Sequence, residues 1–267
     1  MTSPNYKKSA AETRRCVLEL IYRTKSPHIG SAFSVVEVLT VLYHSILRVD
    51  PRQPHAPERD RLILSKGHAC ATLYALLHKM GFITAKELDG FARDGGTFEQ
   101  HPNLSIKHGI EVSTGSLGHG LSIGAGMALA SRASDNRSRV FVLLSDGEMN
   151  EGSVWEAVMF AGHHRLNNLV ALIDANKIQA LGHTSQVLDL QPLEMKLGNF
   201  GWESRNIDGH DFLQIHAALS HLPEDKPCAI ILNTTKGKGV SFMEDRLLWH
   251  YRCPDKDEFE QAMRELG

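Results

Sequence analysis

The chain has 267 residues, 42% of them hydrophobic and 22% charged, with a formal net charge of −2, which suits a globular fold with a sizeable core. The near-neutral balance and the lack of a long basic run exclude a nucleic-acid partner, and no apolar run reaches the roughly 20 residues that cross a bilayer. The polar start (residues 1–15) lacks the apolar core of a signal peptide, and Cys16, Cys70, Cys228 and Cys253 form no CxxC pair, so a reducing cytoplasm is expected.

Residues 7–25 carry apolar positions at helical spacing. SVVEVLTVLYHSIL (34–47) predicts a second amphipathic helix with Ser34 as its N-cap, and a Pro-rich loop follows at 52–60. RLILS (61–65) reads as a strand, and Gly67 opens a helix through Leu77. Beyond a Gly-rich stretch at 95–120, LSIGAGMALASRA predicts a helix whose small residues allow close packing on a sheet. RVFVLLS (139–145) and NLVALIDA (168–175) are unbroken apolar runs, the pattern of parallel strands covered on both faces. SVWEAVMFAGHHRL between them has helical periodicity. ESRNI (203–207) and CAIILNTT (228–235) read as further strands, separated by a helix around DFLQIHAALSHL. This alternation predicts an α/β fold, a doubly wound, mainly parallel sheet flanked by helices, with residues 1–267 as a single domain.

The chemistry concentrates in LLSDGEMNEG (143–152), where an apolar run stops at Ser-Asp-Gly and two glutamates and an asparagine follow. Ligands of open parallel sheets bind beyond the carboxyl ends of the strands. Asp146 ends one predicted strand, and Asn176 ends the next after one strand–helix–strand unit, so the crossover sets them side by side. A carboxylate and an amide oxygen are hard ligands for Mg²⁺ or Ca²⁺, and Mg²⁺ shares its shell with phosphate oxygens. Gly147 lets a phosphate approach the backbone, and the helix starting near Ser153 aims its N-terminus at the same anion. Taken singly, Asp-Gly reads equally well as a turn and Asp-Ala-Asn as a cap. Their pairing favours a metal-bridged diphosphate.

Asp146-Gly147, 28 residues (148–175) and then Asn176 resemble the thiamine diphosphate signature Gly-Asp-Gly…Asn, with Ser145 in place of the first glycine. DRLILSKGHACATLYALLH, GIEVSTGSLGHGLSIGAGMALA, DGEMNEGSVWEAVMFAGHHRLNNLVALIDANK and TTKGKGVSFMEDRLLWH resemble transketolase segments, in transketolase order. The chain is thus identified as a member of the transketolase family, similar to the N-terminal, diphosphate-binding subunit of a split transketolase. The resemblance implies thiamine diphosphate as cofactor and Asp146, Asn176 and the carbonyl of Ile178 as metal ligands. It further implies a C-terminal partner subunit that supplies the pyrimidine-binding and C-terminal domains, in an α2β2 assembly. The implied reaction moves a two-carbon ketol unit from a ketose phosphate or related sugar to an aldose.

Of the 15 histidines, His28 (SPHIGS), His68 (SKGHA), His101 (EQHPN) and His250 (LLWH) fall in segments that match the family. Each alone reads as a packing or surface histidine, and their spacing does not suit zinc. By resemblance, His68 contacts the diphosphate, His250 sits by diphosphate and thiazolium, and His28 and His101 bind sugar hydroxyls. Lys66 and Lys236, otherwise solvated lysines, become diphosphate neighbours. Gly115, Ser116 and Leu117 match the GPLG loop beneath the aminopyrimidine, with serine replacing proline. Glu151 reads either as a helix-capping acid or, by resemblance, as the acid that links two active sites at a subunit contact. His119, His163 and His164 match nothing catalytic.

Competing readings remain at this stage. The α-subunit of a 2-oxo acid dehydrogenase and a deoxyxylulose-phosphate synthase use the same cofactor; His28, His101 and His250 argue against the first, because oxo acids need fewer hydroxyl contacts. A dinucleotide loop at GHGLSIGAG fails because Gly118, Gly120 and Gly124 miss the G-x-G-x-x-G spacing. A non-catalytic regulatory subunit need not keep Asp146, Asn176 and the histidines.

Overall fold

The computed structural model describes residues 5–267. In chain order, α1 (Tyr6–Thr24), α2 (Ile29–Phe33) and α3 (Val36–Val41), which runs on as a π-turn through Leu42–Ile46, precede strand β1 (Arg61–Leu64). Next come α4 (Cys70–Lys79), α5 (Ala85–Asp89), α6 (Gly120–Ala133), β2 (Val140–Ser145), α7 (Gly152–His163) and β3 (Leu169–Ala175). A two-residue hairpin, β4 (Ile178–Gln179) and β5 (Gly182–His183), leads to α8 (Thr184–Val187), α9 (Leu193–Asn199) and β6 (Glu203–Asp208). The chain closes with α10 (Phe212–Ser220), β7 (Cys228–Asn233) and α11 (Lys256–Glu265).

Five strands form one sheet in the order β1-β2-β3-β7-β6, and every pairing in it is parallel. Successive side chains of a strand point to opposite faces, and both faces here are covered. Phe141, Leu143, Val170, Leu172 and Ile230 join a core with α1, α3, α4 and α10. Val142, Leu144, Ala171, Ile173 and Ile231 join a second core with α6, α7 and α9. This is why the strands read as unbroken apolar runs. Gly124 allows α6 to lie flat on β2, since a Cβ there would stand 2.5 Å from Val142 Cγ2. Among the described residues no helix is long and apolar enough to cross a membrane.

Ser34 is a correction. It does not start a helix but ends α2, its hydroxyl donating to Asp174 Oδ2 at 2.7 Å with Ser31 O beside it at 3.0 Å. The predicted 34–47 helix is present from Val36 to Ile46, its first six residues as α3 and its last five as a π-turn, and it starts two residues later than expected because Ser34 ends α2. Two helices beyond the sequence reading, α5 and α11, each carry a complete capping box, Thr84 with Glu87 and Asp255 with Glu258.

Candidate active site

A cavity of about 350 Å³ opens beyond the carboxyl ends of the strands, where parallel sheets place their ligands. It collects the sequence-predicted His28, His68, His101, Gly115, Leu117, Asp146, Gly147, Glu151, Asn176, Ile178, Lys236 and His250. They arrive from nearly the whole chain, and the sheet is what aligns them. Asp146 directly follows β2, Asn176 directly follows β3, and Lys236 stands in the turn after β7. His68 sits in the 3₁₀ turn after β1.

Asp146, 7% exposed, accepts from Gly147 N at 2.8 Å and Lys177 N at 2.6 Å. Burial, with the Asp174 carboxylate beyond it, pushes its carboxyl up to about 6. The Asn176 amide donates through Nδ2 to Asp174 Oδ2 at 2.8 Å, and its Oδ1 accepts from Ile178 N at 3.1 Å. Lys236 Nζ donates to Ile178 O at 3.0 Å and to His250 Nδ1 at 3.2 Å. Burial, aided by Lys66, pulls the Lys236 ammonium down to about 8.

The four histidines surround the same space. Ring centroids lie 4.8 Å apart for His28 and His250, 5.3 Å for His28 and His68, and 6.3 Å for His28 and His101. Burial lowers all four: His28 to about 4, with help from His101, and His250 to about 3, with help from Lys236. His68 falls well below its ordinary value and His101 is lowered too. All four are therefore neutral near pH 7 and can each donate one hydrogen bond and accept another. His28, Asn150 and Gln179 line the cavity, and among the described residues His28 Nδ1, Asn150 Oδ1 and Gln179 Nε2 are buried with no close hydrogen-bond partner, which is uncommon for buried polar atoms.

Four expectations change. Lys66 does not reach the cavity: it is fully buried and its Nζ pairs with Asp174. Ser116 is exposed and lies outside the cavity, unlike its neighbours Gly115 and Leu117. Gly147 is needed by the protein itself, since a Cβ there would meet Gln179 Cβ at 2.8 Å. The first turn of α7 is not what faces the cavity; the 3₁₀ turn Gly147–Asn150 and Glu151 stand between.

Two acids outside the sequence reading organise the site. Asp174, fully buried in β3, accepts from Lys66, Ser34, Thr234 and Asn176. Its burial would raise the carboxyl, but Lys66 and these donors hold it below the usual carboxylate range. An aspartate inside the apolar run NLVALIDA needs such partners, and that was its sequence signal. Glu148 accepts from Ser65 Oγ, from Gly118 N at 2.9 Å and from Ser145 N at 3.3 Å, which ties the loop ending at Gly118 to β2. The acids after β2 thus divide their tasks: Asp146 faces the cavity, Glu148 holds its wall, and Glu151 stands exposed at its edge.

Replacing Lys66 with methionine should leave Asp174 as an uncompensated buried charge and cost about 3–5 kcal/mol of stability. Urea denaturation measures this; a loss under about 1 kcal/mol would show that the three neutral donors suffice.

Fold and cavity together define an α/β domain that receives a small polar ligand beyond the ends of its parallel strands. The chain belongs to the transketolase family: residues 6–267 match the transketolase thiamine diphosphate binding domain, and thiamine diphosphate is the cofactor of that domain. It is 39% identical over 259 residues to one subunit of the apulose-4-phosphate transketolase of Phocaeicola vulgatus, covering 96% of this chain and 92% of that one. A 6-deoxy-6-sulfo-D-fructose transketolase subunit of a Clostridium species is 41% identical over 255 residues, covering 95% and 93%. The crystal structure of transketolase from Campylobacter jejuni superposes with a TM-score of 0.91 at 28% identity. The match covers all of this chain but only 43% of the Campylobacter enzyme.

Proposed function

We propose that the chain, as a single domain, holds the diphosphate half of a thiamine diphosphate site. Joined to a second polypeptide, it transfers a two-carbon ketol unit from a ketose phosphate or related sugar to an aldose. The observation that carries this reading is the gathering of Asp146, Asn176, the Ile178 carbonyl, Lys236 and four neutral histidines around one cavity. Relatives of nearly the same length are named as subunits of transketolases for apulose-4-phosphate and 6-deoxy-6-sulfo-D-fructose, which supports an anionic ketose as donor.

Asp146, Asn176 Oδ1 and Ile178 O form an all-oxygen donor set with one carboxylate, suited to Mg²⁺ or Ca²⁺ completed by phosphate oxygens. With one carboxylate among three protein oxygens, the set leaves about half of a six-coordinate shell to phosphate and water. Asp174 fixes the Asn176 amide with its oxygen free of that carboxylate. Lys236 and His68 offset or contact the remaining phosphate charge. Thiamine diphosphate, when bound, supplies the nucleophilic carbon and the electron sink for carbon–carbon cleavage.

His28, His101 and His250 have their own task. Cleaving a ketose needs a base for one hydroxyl and donors for a developing alkoxide, and neutral imidazoles serve as both. Glu151, exposed at the cavity's edge, is placed for a contact between subunits. The four free cysteines suit a reducing cytoplasm.

Profiling ketose donors against the complex purified from its native host tests the reading. Ketol transfer strictly dependent on thiamine diphosphate is expected; decarboxylation of 2-oxo acids without ketol transfer would overturn it. Within that assay, His101→Ala should lower kcat by about 10²–10⁴-fold while cofactor affinity stays within about twofold. Lost affinity with unchanged turnover at saturating cofactor would reverse the role given to His101.

A further inference from the structure

Lys236 lies in a turn rather than in a strand or helix, so something outside that turn must set where its ammonium stands. Two anchors are local to the site: Thr234 Oγ1 donates to Asp174, and Gly237 N donates to Gly30 O at 2.9 Å. The third comes from elsewhere. Thr235 N donates to His210 Nε2 at 2.8 Å, and His210 Nδ1 donates to Glu37 Oε2 at 3.1 Å. Glu37 pairs with Arg14 at 2.6 Å, both side chains being under one-tenth exposed. Arg14 extends the clamp, donating through Nε to Lys238 O at 2.9 Å and through Nη2 to Phe33 O at 3.3 Å.

His210 from the turn after β6 and Arg14 from α1, joined through Glu37 of α3, thus grip the backbone on either side of Lys236 and the last residue of α2, the helix that His28 precedes. None of the three lines the cavity. An imidazole that accepts at Nε2 must carry its hydrogen on Nδ1, and a carboxylate accepting at Nδ1 fixes that tautomer. Burial would raise the Glu37 carboxyl, but His210 and Arg14 hold it below the usual range. Gly209 makes the approach possible, because a Cβ there would stand 2.4 Å from Thr234 Cγ2.

We propose that His210, oriented by Glu37 and Arg14, is a positioning residue that fixes the Thr235–Lys238 backbone and so aims Lys236 into the cofactor cavity. This rests on reading Lys236 as a neighbour of the bound diphosphate.

The test uses the full chain with His210→Phe, which fills the space without an acceptor, and His210→Gln, whose amide both donates and accepts. Lys236→Met is the control. Amide hydrogen exchange is followed through 234–240, the urea midpoint is recorded, and affinity for Mg²⁺ with thiamine diphosphate is measured by calorimetry. In His210→Phe, exchange in 234–240 should rise roughly 10-fold, and cofactor affinity should fall roughly 10-fold, as when a group that orients a ligand-binding residue is lost. His210→Gln should restore both. If His210→Phe does not fold, His210→Asn, too short to reach both partners, gives the same comparison against His210→Gln. Unchanged exchange in 234–240, or faster exchange spread over the whole chain with a lowered midpoint, would overturn the positioning role. Faster local exchange with unchanged affinity, while Lys236→Met weakens binding, would overturn the link to the cofactor. If Lys236→Met also leaves affinity unchanged, the reading of Lys236 itself falls and the proposal with it.

Discussion

Asp146→Ala should abolish metal-dependent binding of thiamine diphosphate and leave the fold standing. Asp146 is the one carboxylate among the three expected cation ligands, and among the described residues no cation forms an ion pair with it. Lys66 is bound to Asp174, and Lys236 is held by Ile178 O and His250. Removing the carboxylate leaves an amide and a carbonyl, which alone bind a divalent cation poorly. A diphosphate of charge near −3 would then enter a cavity edged by Glu151 and backed by Asp174 without its counter-ion.

The fold should survive because Asp146 costs stability where it stands. Burial pushes its carboxyl up to about 6, so the folded state disfavours its charge. Among the described residues its hydrogen-bond donors are the backbone amides of Gly147 and Lys177, and Asp146 and Gly147 line a cavity wide enough for water to replace the lost acceptor. The net change in stability should stay within about 1–2 kcal/mol. Calorimetry in Mg²⁺ is expected to show at least about a 100-fold loss of cofactor affinity, since losing even a group that only orients a metal ligand costs about 10–100-fold. Asp146→Asn should give a similar loss at unchanged shape. Wild-type affinity in either variant would remove Asp146 from the site.

The parts of this site that lay open to a sequence reading share a physical cause. β2 and β3 are buried on both faces, so RVFVLLS and NLVALIDA are apolar almost throughout, Asp174 being the exception that Lys66 compensates, and the residues that directly follow the two strands, Asp146 and Asn176, line the cavity. The single crossover between them makes Asp146 and Asn176 neighbours whatever the rest of the chain does. By contrast, Lys66 meets Asp174 across 108 positions and His210 meets Glu37 across 173, and no local pattern announces either pairing. Ser34 misled for a related reason: its hydroxyl serves Asp174 in β3, a tertiary partner that outweighed its local preference for an N-cap. The helices α5 and α11 are a different matter. Thr84-x-x-Glu87 and Asp255-x-x-Glu258 are local signals of a helix start, and they were there to be read.

The purified chain should bind thiamine diphosphate weakly and show no ketol transfer until a second polypeptide of similar or larger size is added. The cavity presents contacts suited to a diphosphate and cation, yet its edge holds Leu181, 80% exposed, and the exposed Glu151. A single exposed apolar side chain is ordinary on a protein surface, and chain length carries more weight. This chain spans 43% of a transketolase that carries its domains in one polypeptide, while relatives of matching length are named as subunits. A cofactor that bridges two domains gains only part of its contacts from one, so its affinity and the association of the two chains must be linked: the partner should tighten cofactor binding, and the cofactor should tighten assembly by the same factor. Closed two-fold assemblies are the commonest oligomers, which makes two copies of each chain, with sites between unlike subunits, the expected state. Mixing the two chains should therefore restore activity and raise cofactor affinity over one titration, with light scattering reporting the assembled mass. Ketol transfer by this chain alone, shown free of partner by mass spectrometry, would overturn the split site; assembly without any change in cofactor affinity would place the partner away from the cavity.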